Sequence, residues 1–154
     1  MDHHVRVSQQ GFTLIELVAV LVLLATLAGT LYTRSLSDAP RAGAEAAQLA
    51  RALRHAQALA LGQGRSLTLD IQSASAYVIS DGVSAIRDPQ GETQAFALDT
   101  GIALAGNDIQ FDGLGRPVSG GNLIAAAQSW ILSGSGTSFT VSVQPLTGSV
   151  AVTP

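Results

Sequence analysis

The sequence predicts an α+β fold: a long N-terminal helix, with a transmembrane half and an amphipathic half, followed by an antiparallel β-sheet or β-sandwich domain. Three observations carry this. Residues 12–32 are apolar, small or Thr throughout, except for Glu16. Residues 42–60 place apolar side chains at spacings of three and four. Beyond Gly64 the apolar repeat drops to two, in short runs parted by glycine-rich turns. One long helix followed only by short strands is the pattern of an α+β chain.

The first segment sets the strongest constraint. At 1.5 Å of rise per residue, residues 12–32 span roughly 30 Å, the thickness of a bilayer's hydrocarbon core. A transmembrane helix is expected over residues 12–34. Two plainer readings compete. An ordinary secretory signal would cut after Thr26-Leu27-Ala28, but its apolar region runs about 7–15 residues and carries no early carboxylate. A simple membrane anchor explains the length, but neither Gly11 nor Glu16. An ionisable group within such a stretch is itself a functional hypothesis. Glu16 must protonate, find a cation, or reach the headgroup region one turn from the helix start. Arg6 flanks one side and Arg34 and Arg41 the other, so charge does not orient the segment.

The helix is expected to continue over residues 35–63, with a kink or break near Pro40. Ala42, Ala46, Leu49, Leu53, Ala56 and Ala60 form one face. Arg51, Arg54 and His55 lie largely off it and read as solvated. Gly62 and Gly64 supply the stop.

Residues 64–154 form the β domain. Leu67, Leu69 and Ile71 alternate with polar residues. Asp81-Gly82 between residues 77–80 and 83–86 is a hairpin signal. Further strands are expected at residues 94–98, 102–104, 109–111, 129–132, 139–143 and 149–152. Turn clusters fall at residues 113–121 and 133–137.

Composition excludes more than it selects. Formal net charge is -3 with 12% charged residues, so bulk charge suggests no polyanion partner. There is no Cys, hence no disulfide, thiolate metal site or Cys nucleophile. Of three His, only His55 lies beyond the first few residues, so a catalytic triad or zinc site would rest on one imidazole. Ser133-Gly134-Ser135-Gly136-Thr137 lacks the Lys and following helix of a phosphate loop and reads as a hairpin loop. Asp108 and Asp112 are too few for a hard-cation site, and Asp112 reads as a turn residue. No catalytic residue, cofactor or metal is expected. Residues 117–154 carry no charge at all, which leaves strand edges without their usual protection. That region is either covered by the rest of the domain or meets another subunit.

The run Gln10-Gly11-Phe12-Thr13-Leu14-Ile15-Glu16-Leu17 and the apolar stretch after it resemble the prepilin signal of type IV pilins and type II secretion pseudopilins. The resemblance implies a leader at residues 1–11, cut by a prepilin peptidase between Gly11 and Phe12. It implies N-methylation of Phe12 and a role for Glu16 in assembly, facing the Phe12 amine of a neighbouring subunit. More weakly, Phe111-Asp112-Gly113-Leu114-Gly115-Arg116 and Thr147-Gly148-Ser149-Val150 are similar to stretches of GspH/FimT-like minor pseudopilins. The implied protein is a non-enzymatic minor pilin or pseudopilin of a type II secretion pseudopilus or type IV pilus. It is single-pass in the inner membrane, with its C-terminal domain in the periplasm. Its implied partners are the prepilin peptidase, other pilins or pseudopilins, the inner-membrane assembly platform and membrane lipid. A FimT-like DNA-uptake pilin is the alternative, and would need a basic exposed patch. The scattered Arg51, Arg54, Arg65 and Arg87 do not suggest one, so no nucleic acid is expected.

Overall fold

Apolar periodicity in the first third of the chain becomes one helix, α1 (Leu14–Gln63), 50 residues long. The computed structural model describes residues 14–134 and 136–154, and for residues 29–39 the backbone alone. The expected leader and the Gly11–Phe12 junction lie outside the described residues. Internal contacts divide the chain into two units, Met1–Leu36 and Ser37–Pro154.

In the first unit, every described side chain from Leu14 to Ala28 is exposed. Among the described residues no helix is long and apolar enough to cross a membrane. The described side chains here stop at Ala28, so the expected span of residues 12–34 lies partly outside them. Pro40, where a kink or break is expected, lies inside α1 and does not end it. A proline removes one ladder bond, here to the Leu36 carbonyl, and the turns on either side suffice to carry the helix through.

The second unit contains the core. Ala42, Ala46, Leu49, Leu53, Ala56 and Ala60 are all fully buried, as their spacing predicts. Most are alanines, which lets strands approach α1 closely. At Gly43 the Phe139 ring closes over the helix backbone. The helix stops as its glycines predict: Gly64 has a φ of 62° and the Arg65 N–H donates to the Ala60 carbonyl at 3.3 Å, a Schellman closure.

Ten strands follow among the described residues: β1 (Leu67–Ser73), β2 (Ala76–Ser80), β3 (Phe96–Ala97), β4 (Ala103–Ala105), β5 (Ile109–Phe111), β6 (Pro117–Ser119), β7 (Asn122–Leu123), β8 (Gln128–Gly134), β9 (Thr137–Val143) and β10 (Val150–Thr153). They form two sheets, β3-β2-β1-β5-β6-β7 and β10-β9-β8-β4, with every pairing antiparallel. One cluster of buried side chains joins the inner face of α1 to both sheets, with Leu67 and Phe111 from one and Trp130, Leu132 and Val141 from the other. Trp130 is fully buried and donates its indole N–H to the Asn107 carbonyl at 2.9 Å. A Cβ at Gly106 would collide with the Trp130 ring, so glycine is required there.

Two local expectations change. Residues 83–86 do not form a strand. They make a single bridge, Ser80 to Ala85, and the chain turns away toward Pro89. β3 takes this edge of β2 at Ala76 and Tyr77, and residues 83–86 hold it only at its far end, where the Ile86 N–H donates to the Ile79 carbonyl at 2.7 Å. Conversely, β6 and β7 occupy part of the expected turn at residues 113–121. Pro117 opens β6, where a missing N–H is tolerated, and Gly120-Gly121 turns the chain back with φ of 56° and 82°.

Candidate functional site

Glu16 lies in the first turn of α1 and is exposed. Around it, Leu14, Ile15, Leu17, Val18, Val20, Leu21, Val22, Leu23, Leu24 and Leu27 also stand exposed on all sides of the helix. Soluble monomers rarely show a contiguous apolar surface of this kind, and such a surface marks a site of association. Gly11 and Phe12, the other expected site residues, lie outside the described residues.

The second set of candidate residues is in the β domain. Asp112 organises the turn between β5 and β6. Its Oδ1 accepts the N–H groups of Leu114 and Arg116 at 3.0 and 2.8 Å, and its Oδ2 accepts Arg116 Nε and Nη2 at 2.9 and 2.7 Å. Partial desolvation pushes the Asp112 carboxyl up, but the hydrogen bonds from Arg116 and Leu114 prevail and hold it below its ordinary value. Gly113 lies so close to the Gly64 backbone that no side chain fits. The Asp-Gly-Leu-Gly-Arg stretch is thus a turn built around one carboxylate. Asp108 is engaged elsewhere, accepting the Ile71 N–H at 2.7 Å, so the two acids serve separate backbone contacts.

Gln57 ties this turn to the second motif loop. Its side-chain amide donates to the Gly115 carbonyl at 2.8 Å and to the Thr147 carbonyl at 2.9 Å. Both quoted motifs are therefore fastened to one residue of α1. As a polar residue beside the apolar face, Gln57 gives no sign of this in the sequence. Arg54 reaches the Val150 carbonyl at 2.9 Å, and Arg65 pairs with Asp81 at 2.7 Å. The N–H groups of Ser84 and Val83, with Arg65 assisting, hold the Asp81 carboxyl below its usual range. His55 donates to the Arg87 carbonyl at 3.0 Å, beside an open groove of about 660 Å³ lined in part by Leu59, Ile86 and Asp88.

Glu45 also escapes the sequence reading. It is buried on α1, its Oε1 accepts the Asp99 N–H at 3.1 Å, and its Oε2 has no hydrogen-bond partner among the described residues. Burial pushes its carboxyl above the ordinary range. The Asp99 N–H pulls it back, and the Asp99 charge adds to the rise.

Residues 6–32 match the family model of the prokaryotic N-terminal methylation motif. No curated protein sequence matches the chain. Among solved structures, the fold is similar to the type IV minor pilin FimU of Pseudomonas aeruginosa strain PAO1 in two crystal forms. The TM-scores are 0.57 and 0.53, at 13% and 15% identity, covering 77% and 73% of this chain and 92% of that chain each time. At such identity the likeness is one of fold. Methylation motif and fold together support the type IV pilin and pseudopilin family, the class the sequence resembles.

Proposed function

We propose that this chain is a minor pilin or pseudopilin, a structural subunit of a type II secretion pseudopilus or type IV pilus that supports protein secretion or pilus assembly. The observation that carries the reading is the exposed apolar surface of α1 over residues 14–27, within the methylation motif. In this reading the helix is held in the inner membrane, with the β domain in the periplasm. After cleavage between Gly11 and Phe12 and methylation of Phe12, the helix buries itself among neighbouring subunits. Glu16 then meets the Phe12 amine of the next subunit, because a carboxylate entering an apolar filament core needs a cationic partner. The β domain makes the lateral contacts, and the assembly platform supplies the work.

Coexpression with a prepilin peptidase tests the reading. The expected product is shortened by residues 1–11 and carries one added methyl. A retained leader, or a cut after Ala28, overturns it. Within the same reading, Glu16→Leu leaves processing intact and abolishes incorporation into filaments. Wild-type incorporation of that variant would remove the proposed amine pairing.

A further inference from the structure

The two outer strands of the four-stranded sheet are finished differently. On β4, the Leu104 N–H donates to the Ala74 carbonyl at 2.7 Å, so the turn between β1 and β2 covers that edge. On β10, the Gln144 N–H donates to the Ser149 carbonyl at 2.9 Å, which fixes the phase of the ladder to β9. Ser149, Ala151 and Thr153 then direct their backbone groups to β9, and Val150 and Val152 direct theirs outward. Arg54 takes the Val150 carbonyl. The Val150 N–H and both backbone groups of Val152 have no partner among the described residues. Ala151, Val152 and Thr153 are exposed, no side chain of β10 is charged, and Arg54 brings its charge to this edge only at the Val150 carbonyl.

From this pattern we infer that the β10 edge pairs with β10 of a second copy of this chain, across a twofold axis, joining two four-stranded sheets. The donor and acceptor pattern is self-complementary in one register. With Val152 opposite Val152 of the second copy, the two residues exchange both N–H···O bonds. Val150 then lies opposite Pro154, and its N–H donates to the Pro154 carbonyl. Pro154 has no N–H to return, and the Val150 carbonyl needs none because Arg54 already holds it. Every outward group of the edge is satisfied. The surface beside the seam is also uncharged: Ser129, Ile131 and Ser133 of β8, Thr140 and Ser142 of β9, and Ala151 and Thr153 of β10 lie in register on the outer face. The outer faces of two copies therefore meet without opposing like-charged side chains. An isologous contact of this kind needs only one patch on each copy. It does not rest on the filament reading.

The chain has no Cys, so a single introduced thiol reports one contact. Directly opposed residues in such a pair have Cα atoms roughly 5.5 Å apart, within disulfide reach. The full chain, purified in detergent, is oxidised and run on a non-reducing gel. Val152→Cys is expected to appear mostly as a disulfide-linked dimer, and Ser129→Cys, on the outer face of the same sheet and away from the edge, to stay monomeric. Val150→Pro removes one outward N–H and no ladder bond; added to Val152→Cys, it is expected to lower the dimer yield several-fold, with a retained cooperative melting transition showing that the domain still folds. A folded Val152→Cys chain that remains monomeric overturns the inference. So does equal cross-linking of Ser129→Cys, which would report association through the micelle or the sheet face. Leader cleavage, measured separately, is unaffected by either result.

Discussion

The two ends of α1 use one secondary structure in opposite ways. From Leu14 to Leu27 the helix carries large apolar residues and exposes them; from Ala42 to Ala60 it carries mostly alanine along its inner face and buries it. The contrast separates two tasks of an apolar surface. The second stretch finds its partner in the same chain, so side-chain volume is limited by the strands that pack on it. The first is exposed, so no packed strand limits its side-chain volume.

Substitutions can break this contrast. The largest effect is expected at Leu53, fully buried on the inner face. Leu53→Ala should destabilise the β domain by about 2–5 kcal/mol, seen as a clear fall in melting temperature. Leu21→Ala, on the exposed stretch, should leave the melting temperature unchanged. Equal effects at both positions would abolish the distinction. Next in size is Gln57→Ala, which leaves the Gly115 and Thr147 carbonyls without their donor. A loss of about 1–3 kcal/mol is expected, with hydrogen exchange rising in both loops together.

Glu45 gives a smaller effect of opposite sign. Its carboxyl is raised in the folded state, mainly by burial. The folded domain therefore binds this proton more tightly than the unfolded chain, and the contribution to stability is lost as pH rises above the unfolded carboxylate range. Tyr77 and Asp99 are the titratable groups coupled to it. Glu45→Gln keeps an acceptor for the Asp99 N–H and removes the charge. It should raise the melting temperature at neutral pH, with the gain shrinking as pH falls toward the ordinary carboxylate range. A gain that does not change with pH would refute this account. The smallest effect is expected at Arg116, whose pair with Asp112 is largely solvated. Arg116→Ala should barely move the melting temperature.

Patterns that depend on neighbours along the chain were legible. The inner face of α1, its Gly64 stop and strands such as residues 109–111 follow from spacing and turn chemistry alone. What failed depended on distant partners. Residues 83–86 look like half of a hairpin, but they hold β2 by one bridge before the chain leaves, and distant β3 takes the Ala76–Tyr77 end of that edge. Pro117 looks like loop until β5 offers it a place where no N–H is wanted. Gln57 and Glu45 read as ordinary polar helix residues, because their roles come from carbonyls and amides far along the chain. The exposed stretch of α1 was the most legible feature, since its apolar run needs no partner in the chain to be recognised.

The bonds from α1 to the β10 end of the domain also bear on how the protein matures. Gln57 reaches Thr147 across 90 residues of sequence, and Arg54 reaches Val150 across 96. Contacts this distant along a chain form slowly, because a long loop must close before they reward it. The apolar end of α1 emerges first from the ribosome, while the bonds that lock the other end of the same helix await strand β10. Maturation therefore has a built-in delay: the segment most prone to associate is complete long before the domain that would present it is closed.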